Sequence, residues 1–281
     1  MKIISDSRVN NAIKKFVGKN FVFYGQKFDT IAEKDRVFME QFLNRFYCAF
    51  RTLFRHKHVA SDIFIDRLLL IDAVRFDDAD KDIMPFKVAF EEMERYCGEN
   101  LEGGIFMPTK SNGVLLLDMD TVSHSKPEWL HTLIHELIHA MVMIEKEQHG
   151  DVFYQTGIAK YGRSFFKLNE GFTEIIAQLM WAKMYKNKHC PGVGRYANEV
   201  AAAEFVMSKV MAKENFIEWF IFDSNIIVDE LQNVVNEDGE SLFDVISKFN
   251  KAKLTSACSQ KRFLNEMNKF KTIDCEENLV L

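Results

Sequence analysis

The chain has 281 residues, a length for one large domain or two small ones, and its composition is 47% hydrophobic and 27% charged, which excludes disordered and fibrous classes. A net charge of −5 provides no whole-chain basic field for nucleic acid. Five cysteines, widely spread and without a CxxC pair, argue against both a disulfide framework and a thiolate zinc ribbon.

The first 28 residues are locally basic, which reads as a solvated helix face. Their sequence lacks the apolar core of a secretory signal, and no uncharged apolar run approaches the roughly 18 residues of a membrane span. The expectation is a cytoplasmic protein that spans no membrane. Only 4 prolines and 13 glycines favour helices over a punctuated sandwich or barrel. Phenylalanine alone supplies 26 residues, which implies a large core.

Taken in order, residues 32–58 read as a long amphipathic helix, with Val37, Phe38, Phe42, Phe46 and Leu53 near the 3.6-residue period. Residues 62–74 are dense in apolar side chains and fit either a helix or a buried strand. Residues 85–97 read as helix, closed by Gly98. Gly103–Pro108 is strand-like, Lys110–Gly113 has turn chemistry, and Val114–Leu117 is a compact apolar strand, so a β-hairpin is expected there. The next helix opens near Pro127, with Ser125 as its cap, and runs to about Gln148. Helical patterns continue over 168–186, 196–212, 216–222, 226–235, 242–250 and 261–270, with Pro191–Gly194 as a loop. The expected class is α+β and predominantly helical. A small sheet or hairpin lies next to the helix opened by Pro127, and a helical C-terminal lobe follows. The lobes are placed at 1–150 and 151–281, forming one continuous unit.

That helix contains His135-Glu136-Leu137-Ile138-His139, an HExxH motif. Residues four apart project side by side, so the two imidazoles can bind one Zn²⁺. Glu136, one position around, can accept a proton from an attacking water and later deliver it to the leaving amine. The match by itself arises by chance in roughly one or two chains per hundred of this length. The flanking positions Leu130, Leu133, Ile134, Leu137, Ile138, Ala140, Met141 and Val142 are apolar nearly all round, so the helix is expected to be buried. Buried histidines and a buried carboxylate need partners, which a metal supplies.

Downstream stands Leu168-Asn169-Glu170-Gly171-Phe172-Thr173-Glu174, in which Glu170 and Glu174 form a second i, i+4 pair. With the HExxH helix, this segment resembles the gluzincin metallopeptidases over about fifty residues. The zinc aminopeptidases of that clan have a closely similar LNEGF segment, and thermolysin-like enzymes have a related one. The resemblance implies that Glu170 is the third zinc ligand and that Glu174 accepts a hydrogen bond from a ligand histidine. It also implies Tyr161 as a transition-state donor, because thermolysin-like enzymes carry a tyrosine at that offset before the ligand Glu. Tyr196 is the alternative, and Tyr154 and His189 are further options. An extended substrate would lie on an edge strand just before the zinc helix, either Ile105–Met107 or Val114–Leu117.

Two features depart from the pattern. Thirty residues separate His139 from Glu170, more than in either relative. The insert holds His149-Gly150-Asp151-Val152-Phe153, which resembles the HGxxF segment of SprT-like zinc proteases and makes His149 a rival third ligand. His131, four before His135, reads as helix surface or as a neighbour of the ligands, and Arg163 as a surface cation. The function implied is a zinc metallopeptidase with one Zn²⁺ per chain and a peptide or protein substrate. It leans to an endopeptidase, because no GxMEN-type motif is present. The alternatives are a regulatory zinc-fold binding protein and a delivered effector or toxin protease of narrow range. Oligomeric state and substrate identity are not legible in the sequence.

Overall fold

The structure is a computed structural model, and it describes residues 6–20, 22–23, 33–76, 104–108, 113–118, 127–148, 151–159, 163–186, 188–194, 196–210, 213–248 and 257–270. The expected helix at 85–97 and the turn at Lys110 lie outside these residues. The chain divides into two compact units. One comprises Met1–Gln155 with Ala177–Gly192, the other Thr156–Ile176 with Val193–Leu281.

The first unit opens with helices α1 (Ser7–Asn20), α2 (Glu33–Thr52) and α3 (Lys57–Leu69), with the two-residue strand β1 (Val22–Phe23) between the first two. Their apolar faces build an aromatic core. Phe46 stacks on Phe50 at 6.1 Å, and Tyr47 packs on Phe64 at 5.1 Å. These rings are fully buried, and the Tyr47 hydroxyl finds a partner in Ser61 Oγ at 2.7 Å, as a buried phenol requires. The undecided segment at 62–74 resolves into both of its options. The helix α3 ends at Leu69, and the strand β2 (Ile71–Phe76) begins two residues later.

Strand β2 pairs in parallel with β1 and with β4 (Gly113–Asp118), and β3 (Gly104–Pro108) pairs antiparallel with β4. The sheet order is β1-β2-β4-β3. This places β4 inside the sheet and leaves β3 on its edge. The helix α4 (Pro127–Met141) follows, then β5 (Met143–Gln148) and β6 (Asp151–Thr156), which pair in a separate two-stranded sheet.

The expected fold class therefore needs correction. The described residues are mostly helical, but a small sheet or hairpin beside the HExxH helix is the wrong description of the rest. The strands form a four-stranded mixed sheet with parallel pairing, plus a second sheet. The helix expected to reach Gln148 stops at Met141. The cause is local: after Met141 the chain runs Val-Met-Ile-Glu-Lys-Glu-Gln, three apolar residues followed by four polar ones, which no longer supplies a helical stripe. The parallel pairing was invisible because β2 and β4 are more than thirty residues apart in sequence.

A long helix, α5 (Arg163–Tyr185), carries the LNEGFTE segment. In the second unit α6 (Ala197–Val210), α7 (Lys213–Phe222), α8 (Ser224–Asn233), α9 (Leu242–Lys248) and α10 (Ala257–Met267) accompany the part of α5 up to Ile176. Phe172 of that segment lies 4.5 Å from Phe216 and 5.6 Å from Phe220, fully buried. Asp223 caps α8 by accepting from the Asn225 backbone N–H at 3.0 Å. No helix among the described residues is long and apolar enough to cross a membrane.

Candidate metal centre

Helix α4 is buried along nearly its whole length, from Trp129 and from His131 through Met141. That burial is what its all-round apolar pattern predicts, and it places three polar side chains in a dry setting. His135, Glu136 and His139 are 3%, 8% and 6% exposed. The Nε2 atoms of His135 and His139 lie 3.1 Å apart, with ring planes at 71°. Two imidazole nitrogens on one tetrahedral Zn²⁺, each at 2.0–2.1 Å, are about 3.3–3.4 Å apart. The observed pair is thus close to ligating geometry.

Glu170, one of the residues of α5, completes the group. The ligand atoms of His135, His139 and Glu170 all lie within 4.8 Å of one another, and all three residues are buried. Two imidazoles and one carboxylate form a donor set suited to zinc, with room in a tetrahedral shell for one more ligand. The residues fit the metal that the motif implies, and a buried group of this kind can hold a metal ion. Glu174, one turn further along α5, is fully buried, as is Thr173 between them.

The other expected residues stand differently. Tyr161 and the rival ligand His149 lie outside the described residues, as do the side chains of Tyr154 and Arg163. Tyr196 is half-buried at the turn before α6, and His189 is exposed. His131 is not on the helix surface. It is 1% exposed, its ring lies 6.3 Å from that of Trp181, and the backbone of Gly192 rests directly on the imidazole. The absence of a side chain at Gly192 permits this contact, so the glycine of the Pro191–Gly194 loop has a packing reason.

Three further features escaped the sequence reading. Asn169, fully buried, accepts the Ile158 N–H through Oδ1 at 3.1 Å and so ties the turn after β6 to the helix that carries Glu170. Gly171 is where α5 and α6 touch, because a Cβ there would stand 2.9 Å from Ala203 Cβ and closer still to the Glu199 backbone. A glycine inside an apolar helical pattern was the available signal for that close approach. Beside it, Lys167 and Glu199 form a buried ion pair at 3.4 Å.

The third feature is at the sheet edge. The Phe106 backbone N–H donates to Glu136 Oε2 at 2.8 Å. In an antiparallel pair a residue's N–H and C=O face the same way, so Phe106 turns away from β4 and towards α4. The period of two turns Gly104 and Pro108 the same way, and Pro108 has no N–H. Of three outward donor positions on β3, one is bonded to Glu136 and one does not exist, so a strand added along this edge would be met mainly by its outward carbonyls.

No known protein family matches the chain, and no match is found among curated proteins or among solved structures.

Proposed function

We propose that this protein is a zinc-dependent peptidase of gluzincin type, probing peptide or protein substrates as an endopeptidase. His135, His139 and Glu170 hold the metal in this reading, and Glu136 is the general base. The observation that carries it is the buried group of two imidazoles and one carboxylate with the HExxH glutamate on the same helix turn. A metal site used only for structure has no need of that glutamate, whereas hydrolysis does.

Zinc, when bound, supplies a Lewis acid that polarises the scissile carbonyl. Glu136 takes the proton of the attacking water and returns it to the leaving amine. Its burial beside the histidines keeps bulk water from competing for that proton. Glu174 accepts a hydrogen bond from one ligand histidine and so fixes its tautomer. Tyr161 donates to the developing oxyanion, with Tyr196 as the alternative donor. An extended substrate has β3 as its docking edge, since β4 is covered on both sides. With Pro108 lacking a donor and Phe106 engaged, such a substrate is held chiefly through the carbonyls of β3.

The test compares wild type with Glu136→Gln on a proteome-derived peptide library, with zinc content measured in parallel. Both proteins should hold one zinc, and the variant should lose at least about a hundredfold in turnover. Equal turnover in the two would sink the mechanism. Intact zinc with no cleavage by wild type would favour a regulatory binding protein.

A further inference from the structure

The bond between β3 and Glu136 has a consequence for how the base is aimed. A glutamate has several rotatable bonds, and a group that must meet a water and then an amine works only if its direction is held. The donor at Phe106 is a main-chain N–H within a paired strand, so it cannot swing as a side-chain donor could. Its 2.8 Å length is at the short end of ordinary N–H···O bonds. Holding Oε2 sets the plane of the whole carboxylate, and with it the direction of Oε1.

The donor is itself held by its own side chain. The far end of the Phe106 ring occupies the space beside Gly113 on the neighbouring strand, where an added Cβ would stand 2.5 Å from Phe106 Cε2 and 3.1 Å from Met143 Sδ. Phe106 faces Leu115 across the ladder, and Gly113 is its diagonal neighbour, within reach of an aromatic ring. Met143 stands just beyond the end of α4. The strand β3 is therefore held to the helix through the Phe106 N–H and to the neighbouring strand β4 through the Phe106 ring.

We propose that Phe106 is a positioning residue: its ring, seated on Gly113, fixes the main-chain N–H that aims the Glu136 carboxylate. The proposal rests on the reading of Glu136 as general base, and its first readout does not depend on catalysis. Amide hydrogen exchange is measured on the full chain, in wild type and in Glu136→Ala. Loss of the acceptor should speed exchange at Phe106 by about tenfold or more, with Leu115 and Ile71 unchanged as controls. An unchanged rate at Phe106 overturns the proposal.

The second readout compares Phe106→Pro, which removes the N–H at an outward edge position that tolerates proline, with Phe106→Ala, which keeps it. Zinc content should match wild type in both. The alanine variant, which keeps the N–H but loses the ring that seats it, should fall below wild type in kcat, and the proline variant about tenfold lower still, with KM within about twofold. Equal kcat values overturn the positioning role even if the exchange result holds. Should the proline variant not fold, Gly113→Ala displaces the ring and is expected to lower kcat with zinc retained; an undiminished kcat there overturns it equally. A wild type without turnover refutes the peptidase reading, and the exchange result then alone decides whether Phe106 holds Glu136.

Discussion

Replacing Gly171 by alanine sets two effects of opposite sign against each other. Helix propensity favours alanine over glycine by about 1 kcal/mol in a helix interior. Against that, the new Cβ would stand 2.5 Å from the Glu199 carbonyl carbon, and ordinary contact begins near 3.4 Å. The Glu199 carbonyl oxygen stands closer still, so the helices α5 and α6 would have to part by at least about 0.9 Å. The atoms struck are backbone and cannot rotate away, so the overpacking cost belongs near 3 kcal/mol, the top of the usual range. The net expectation is a loss of about 2 kcal/mol, or roughly 4–8 °C in Tm for a chain of this size. Zinc binding should weaken as well, because Glu170 is the adjacent residue. Gly18 in α1 is the matched control, since a Cβ there meets nothing within 4 Å. Gly18→Ala should gain up to about 1 kcal/mol from propensity alone. Urea titration and calorimetry on both variants decide the matter. If Gly171→Ala is as stable as wild type, the close helix approach is wrong.

Three other outcomes follow from the geometry. Asn169→Ala removes the acceptor for the buried Ile158 N–H and should cost about 1–3 kcal/mol in urea titration, whereas Asn169→Asp, which keeps an oxygen there, should cost less. Chelation of zinc should lower Tm and restoring the metal should recover it, because an ion bound only by the folded chain stabilises it by mass action; an unchanged Tm at saturating zinc speaks against a bound metal. Glu170→Gln should lose zinc while His149→Ala retains it, measured by metal content after gel filtration, and the opposite result would transfer the third ligand to His149.

The amino-acid sequence by itself determined where two of the candidate metal ligands are. HExxH and LNEGFTE are local patterns, and residues four apart on a helix face one way whatever surrounds them. His135 and His139 were therefore legible before any fold was known, and the apolar flanks of that helix announced its burial. The Glu170 partner came only from resemblance to a family pattern, since nothing local tells a carboxylate which histidines it will meet thirty residues away. The tertiary structure alone decided the rest. Strand β2 meets β4 in parallel across more than thirty residues, and pairing at that distance leaves no periodic trace. It made β3 the edge strand and turned the Phe106 N–H onto Glu136, a main-chain contact that leaves no mark in the local sequence pattern. It also showed that Gly113, Gly171 and Gly192 are small because something stands where a Cβ would go. Chemistry resides in side chains and is written residue by residue, whereas the space around them is set by elements distant in sequence, and only folding brings those together.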